Sequence, residues 1–194
     1  MIKKVLSVNV IKVILFLALL LLPGSLFGFN LRAGFYGSTQ FPIGEASTYF
    51  KNASGTGLAV EFGFLENFGQ SMHFQWAGII PKNDKILSAW QLVGLLGLWY
   101  NLPLGNAGFS VQPSIEAGLM YQGAKIQDGY GELPQRAYTD FVLQICPSFR
   151  YKNEKMLNNH LEIELSPIWS IVPQNSGGLV FAGARLGILY VTDL

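Results

Sequence analysis

The chain predicts an all-β fold: an eight-stranded antiparallel up-and-down barrel that follows an N-terminal leader. Three observations carry this. Apolar residues recur with a period of two through almost all of the sequence after Gly28. The alternating stretches number eight, an even count that lets a meander close on itself. Their connectors alternate in length, short and then longer. A period of two sends successive side chains to opposite faces of a strand, so each stretch has one oily face and one polar face.

The leader comes first. MIKK supplies a basic start, VILFLALLLL an apolar run, and PGSLFG a breaker with small residues. The run is about ten residues, against the ~20 that a transmembrane helix needs. Residues 1–28 are therefore read as a cleaved signal peptide and 29–194 as the barrel. No cysteine follows the apolar run, which argues against lipoprotein processing.

In NLRAGFYGS (30–38), Leu31, Ala33 and Phe35 share a face opposite Arg32, Tyr36 and Ser38. GLAVEFGFL (57–65) sets Leu58, Val60, Phe62 and Phe64 against Ala59, Glu61 and Gly63. SMHFQWAGI (71–79) sets Met72, Phe74 and Trp76 against His73, Gln75 and Ala77. AWQLVGLLGLWYN (89–101) alternates less cleanly, with Trp90, Leu92, Leu96, Leu98 and Tyr100 on one face. FSVQPSIEAGLMYQ (109–122) runs from Phe109 to Tyr121 on its oily face and carries Glu116 on the other. TDFVLQICPSFRY (139–151) opposes Phe141, Leu143, Ile145, Pro147, Phe149 and Tyr151 to Asp140, Val142, Gln144, Cys146, Ser148 and Arg150. HLEIELSPIWS (160–170) opposes Leu161, Ile163, Leu165, Pro167 and Trp169 to His160, Glu162, Glu164 and Ser166. VFAGARLGILY (180–190) opposes Val180, Ala182, Leu186 and Tyr190 to Gly183, Arg185 and Gly187.

ENFG, LPLGNA and KNEKML are short, turn-like connectors. TQFPIGEASTYFKNASGT, PKNDKILS, GAKIQDGYGELPQRA and IVPQNSGG are longer on average. A membrane barrel has this pattern, with short periplasmic turns and longer extracellular loops.

Alternation also suits a soluble barrel with its oily face inward. Composition favours the inverted arrangement. Charged residues are 13% of the chain, about half the usual share, and the polar faces are Ser, Gln, Gly and isolated charges. Aromatics stand towards the ends of the oily faces, as in Phe109 and Tyr121 or Trp90 and Tyr100. Several stretches reach the ~10 residues that cross a bilayer when tilted, and closure satisfies the backbone groups that lipid cannot. A transmembrane barrel in a bacterial outer membrane is the expectation. The 13 basic and 12 acidic residues nearly cancel, which removes the electrostatic case for nucleic acid. A single cysteine, Cys146, excludes an internal disulfide and a multi-cysteine metal site.

With these strands and faces the mature chain resembles the small eight-stranded outer-membrane β-barrels, the class of the OmpA transmembrane domain and OmpX. The resemblance is architectural and implies outer-membrane lipid and the barrel-assembly machinery as partners. Members of the class usually end on an aromatic residue that this machinery reads. Here GILYVTDL keeps the alternation through Ile188, Tyr190 and Thr192 and ends on Leu194, a departure from that pattern.

With the oily face outward, Arg32, Glu61, Glu116, Asp140, Arg150, Glu162, Glu164 and Arg185 point into the lumen. Arg150 is expected level with Glu162, and Glu164 with Arg185, with Arg32 joining across the closure; unpaired buried charges would cost several kcal/mol. His73 and His160 also face inward, where packing is the expected role. No Ser, His and acid converge as a triad requires, and no metal or other cofactor is implied. Phe41, Tyr49, Phe50 and Tyr130 lie in the longer connectors and are the candidates for contact with an extracellular or host ligand. The leading reading is a non-enzymatic barrel serving envelope structure and surface interaction. A narrow, porin-like channel or a lateral conduit for small apolar solutes comes second, and a lipid-modifying barrel enzyme third. Pro113, Pro147 and Pro167 fall on oily positions of three consecutive strands, where bulges or weakened pairing are expected.

Overall fold

The computed structural model describes residues 30–44, 46–65, 67–82, 86–105, 108–128, 131–132, 136–152, 160–174 and 177–193. The leader expected over residues 1–28, Tyr130 and the Tyr49 side chain lie outside what is described.

Eight long strands form the fold: β1 (Asn30–Ile43), β2 (Phe50–Leu65), β3 (Phe68–Pro81), β4 (Ile86–Tyr100), β5 (Phe109–Asp128), β6 (Arg136–Lys152), β7 (Leu161–Gln174) and β8 (Gly177–Asp193). Each pairs antiparallel with its neighbour in sequence. β1 also pairs with β8, from Asn30 opposite Asp193 to Ile43 opposite Val180, so the sheet closes and has no long free edge. Closure satisfies ladder donors all round. The barrel therefore has one end that carries Asn30 and Asp193 and an opposite mouth.

Phe35, Ile115, Leu186, Ile145 and Ile188 project outward and are more than half exposed. A soluble exterior would not carry this many large apolar side chains, whereas lipid is their natural surrounding. On β6 the outward apolar face runs from Phe141 to Tyr151. About ten residues of ~3.4 Å, inclined by roughly 40°, give about 25 Å, the height of a membrane barrel's apolar band. Aromatic pairs stand along its edges: Phe109 against Tyr151, Phe64 against Phe68, and Trp90 against Tyr121.

The longer connectors are largely strand. β1 and β2 extend to Ile43 and from Phe50, leaving only Gly44 at φ 65° and the four-residue helix α1 (Ala46–Tyr49) among the described residues between them. Phe41, expected in a loop, instead lies in the β1–β8 ladder opposite Ala182. Phe50 likewise starts β2 opposite Pro81. β5 continues to Asp128, where a two-residue pairing with Gly131–Glu132 extends it. The mouth is a rim of zipped strands because alternation and β-propensity persist past the apolar band; turn residues such as Gly44 end the strands later than a membrane width would suggest.

The three prolines divide the expectation. No extra residue is inserted, so none marks a bulge. Pro113 pairs with Pro147 in an unbroken β5–β6 ladder. On its other side the β4–β5 ladder stops at Trp99 opposite Ser114 and resumes, in the same register, only at Leu102 opposite Val111. Pro167 pairs with Ala184 in an unbroken β7–β8 ladder. Between β6 and β7, however, pairing stops after Ile145 opposite Trp169 and resumes, in the same register, at Phe149 opposite Leu165. Pro147 and Pro167 face each other in that gap. An antiparallel hydrogen-bonded pair exchanges two N–H···O bonds, and here neither partner has an N–H to give. One proline pair thereby removes the ladder pairing at three successive positions.

Candidate functional site

The lumen is built in two layers. Towards the mouth, Val93, Leu95, Met120, Val142, Val172 and Phe181 form a buried apolar cluster, joined by Ala46 from α1. Ser47 donates to the Gly44 carbonyl and Lys82 donates to the Ser47 carbonyl, which ties α1 down over this cluster. Sequence alternation gives the inward positions but not this clustering, since Val and Leu on a nominally polar face read as noise.

Below the apolar layer lies an ion-pair network from seven strands. Arg150 is central. Its Nη1 donates to Glu61 Oε2 at 2.8 Å and its Nη2 to Glu61 Oε1 at 2.5 Å, a fork across the lumen. The same Nη2 donates to Glu164 Oε2 at 2.5 Å, and Nη1 lies 3.7 Å from Glu162. In the ladder Arg150 stands opposite Glu164 and Lys152 opposite Glu162, two residues away from the expected level. Arg185 Nε donates to Glu164 Oε1 at 3.1 Å, and its Nη2 lies 3.7 Å from Glu116. Arg32 reaches Glu162 at 3.3 Å and Glu61 at 3.7 Å, both ion pairs without hydrogen-bond geometry.

Uncharged donors fill much of the remainder. Gln112 donates to Glu61, Gln144 and Ser114 to Glu116, and Ser166 to Glu164 at 2.6 Å. Ser166 also bonds Ser148 at 2.8 Å, stitching β6 to β7 from inside where the ladder is interrupted. Satisfying carboxylates from several strands is what makes buried charge tolerable.

Three further side chains belong to the site. His73 Nδ1 lies 3.0 Å from Glu116 Oε2 and 3.1 Å from Arg185 Nη1. One nitrogen cannot both donate to a carboxylate and accept from a guanidinium, so the two contacts are alternatives set by the tautomer. Three guanidiniums face four carboxylates, with the His73 ring between Glu116 and Arg185. Tyr36 lies under Arg185, with the guanidinium 5.0 Å from the ring centroid, and Trp99 lies under Arg32 at 5.1 Å. The signal for His73 was its inward parity; packing was the role expected of it. Trp99 sits in the stretch whose alternation was least regular.

Asp140 does not join. Its inward parity is as expected, but it stands opposite Met120, beyond Val142 on the mouth side of the apolar layer. Among the described residues it forms no ion pair with the network. His160 also lies apart, with Nδ1 2.7 Å from the Val191 carbonyl and its ring stacked on Tyr190. Cys146 is buried, with Sγ 3.2 Å from Arg185 Nη2.

No protein-family model matches the chain, and no curated protein matches it in sequence. Solved structures do match in fold. Neisserial surface protein A is 12% identical with a TM-score of 0.53, over 84% of this chain and 96% of that one. Ail, the attachment invasion locus protein of Yersinia pestis, is 13% identical with a TM-score of 0.53, over 86% and 100%. OprG, an outer membrane protein of Pseudomonas aeruginosa, is 15% identical with a TM-score of 0.52, over 87% and 97%. In strand number, connectivity, closure and outward apolar surface, the chain has the fold of the small eight-stranded outer-membrane β-barrels.

Proposed function

We propose that the protein is a non-enzymatic, integral outer-membrane barrel with a closed lumen, serving envelope structure and surface contact at its mouth. The observation that carries the reading is the double filling of the lumen. An ion-pair network whose charges already hold one another offers a passing ion little. The apolar layer beside it would strip a polar solute of water without replacement. Lipid is then the partner of the outer wall. The barrel-assembly machinery is the partner in biogenesis, and the leader over 1–28 fits export to it. An extracellular or host ligand would meet the rim, where Phe41 is exposed and Phe50 starts β2; Tyr49 and Tyr130 remain candidates from the sequence.

The test is planar-bilayer conductance with purified, folded protein. The reading expects silence from the native chain at voltages where a porin conducts, and stable unitary steps would overturn it. The interrupted β6–β7 ladder favours one second reading, a lateral passage for small apolar solutes. Cross-linking Ser148→Cys to Ser166→Cys in a Cys146→Ser background would close that passage. Uptake of an apolar probe into proteoliposomes that the cross-link abolishes would support lateral transport over simple closure.

A further inference from the structure

Closure pairs the wall within the apolar band, but above it one strand outruns its neighbour. β6 begins at Arg136, whereas its pairing with β7 starts only at Leu143 opposite Ile171. To cover β6 up to Arg136 in that register, β7 would have to run on to Gly178. Instead the chain turns back, and Gly177 of β8 pairs with Gln174. Pro173, which that register sets opposite Phe141, has no N–H to continue the ladder. On its other side β6 stays paired with β5 as far as Arg136 opposite Ala124. Residues 136–142 therefore have one bonded edge and, among the described residues, one unpaired edge.

The prolines fix which backbone groups that edge presents. Pro113 and Pro147 pair within an unbroken ladder although neither has an N–H, which requires a non-hydrogen-bonded position. Successive residues of a strand turn their N–H and C=O to opposite sides, so the odd residues of β6 address the β7 side. Ala137, Thr139 and Phe141 thus present donors and acceptors at the unpaired edge. The outward apolar face ends at Phe141, and Ala137 to Asp140 stand beyond it towards solvent. Ala137, Tyr138 and Thr139 are exposed, Tyr138 to 57%. The two faces of this segment differ. Tyr138 and Asp140 offer an aromatic ring and a carboxylate that joins no ion pair of the lumen network. Ala137, Thr139 and Phe141 offer a mainly apolar surface.

An unpaired edge is a template for another strand. A second copy in the same membrane does not fit it. Antiparallel edge pairing relates two copies by a two-fold axis normal to the sheet, which lies in the membrane plane and points their mouths in opposite directions. Parallel pairing would incline the two barrel axes by roughly 80°, twice the strand tilt. We propose that the edge from Arg136 to Phe141 binds an extended segment of an extracellular polypeptide by strand addition. Basic side chains of that segment lie over Tyr138 and Asp140, and apolar ones lie beside Ala137, Thr139 and Phe141. Main-chain bonds supply the affinity and the alternation supplies the selectivity. The inference rests on the reading of the mouth as a contact surface and gives that contact its chemistry.

The test uses the full chain folded in non-ionic detergent micelles, with an alternating lysine–valine heptapeptide as probe. Fluorescence anisotropy should show saturable binding, and amide exchange at Ala137, Thr139 and Phe141 should slow at least tenfold. A peptide N-methylated on the residues facing the edge should not bind, and an alternating glutamate–valine peptide should bind at least tenfold more weakly. Thr139→Pro removes an edge donor at a position whose N–H the β5 ladder does not use, as Pro147 shows. It should keep the folded band on an unboiled gel and weaken binding at least tenfold. No binding, equal binding by Thr139→Pro or by the N-methylated peptide, or slow exchange at Ala137 and Thr139 without peptide would each overturn the proposal. The last result would mean that the chain or a second copy already covers the edge. Should Thr139→Pro fail to fold, the N-methylated peptide and the native exchange rates decide. Stable conductance steps, by contrast, would overturn the closed-lumen reading and leave strand addition standing.

Discussion

Replacing Arg150 by methionine removes the group that three carboxylates share while keeping most of its volume. Arg150 donates to Glu61 at 2.8 and 2.5 Å and to Glu164 at 2.5 Å, and it is only 3% exposed. Glu164 would keep Arg185 and Ser166. Glu61 would keep only Gln112 at 3.3 Å and Arg32 at 3.7 Å, and it is buried to 1%. Leaving a buried charge uncompensated costs about 3–5 kcal/mol. At ~2–4 °C per kcal/mol for a domain of this size, the transition should fall by roughly 6–20 °C. The assay is heat-modifiability, in which the folded band is followed on an unboiled gel against incubation temperature, together with urea unfolding in detergent. The double variant Arg150→Met/Glu61→Gln removes the stranded carboxylate and should recover at least half of the loss. A single variant within about 1 kcal/mol of the native chain, or a double variant no better than the single, would refute the view that these charges are coupled and dry.

Other perturbations probe the remaining parts of the argument. Glu164→Gln and Arg185→Gln should each lower thermal stability in detergent by about 2–4 kcal/mol; no change in either would mean the pair is idle. Pro147→Val/Pro167→Val restores two donors to the β6–β7 gap and should add about 1–3 kcal/mol with slow amide exchange at both positions; a loss of stability would show the gap has another cause. Ile145→Arg places a cation on the outward apolar face and should cost about 2–4 kcal/mol in lipid bilayers, whereas a water-facing wall would tolerate it. Gly118→Ala should be strongly destabilising, because its Cβ would lie 1.9 Å from the Gly94 carbonyl oxygen, while Gly94→Ala meets no atom within 4 Å and should be nearly neutral. Similar unfolding midpoints for these two glycine variants would contradict the strand register between β4 and β5.

The parts of this fold that were legible in sequence depend on parity, and the parts that were not depend on axial level. Whether a residue faces lipid or lumen follows from a period of two, so strand number and the two faces could be read directly. Which inward charges meet is a matter of register and shear between strands, and one residue of error moves a partner by about 3.4 Å. Arg150 illustrates the first difficulty, lying opposite Glu164 where Glu162 was expected. Asp140 shows the second, with correct parity but a place on the wrong side of Val142. The rim residues fail for a third reason. Phe41 falls in the longer connector TQFPIGEASTYFKNASGT when strands are bounded by the sequence alone, yet β1 continues past the apolar band and ends only at Ile43.

The order of the two lumen layers has a consequence for how closure is maintained. A polar network alone could be wetted and a charge pair screened, so that strength of pairing would fall as water entered. An apolar layer alone could open by side-chain rotation, because dispersion contacts carry no directional restraint. In series they protect each other. The apolar cluster keeps bulk water from most of the Glu61–Arg150–Glu164–Arg185 chain, which raises the effective strength of each ion pair. The network in turn cross-links β2, β6, β7 and β8 through the lumen. It holds the β6–β7 side of the wall together at the level where Pro147 and Pro167 have removed the ladder bonds. On this argument the proline gap is tolerated because the barrel is tied from within, and weakening the network should loosen the wall first between β6 and β7.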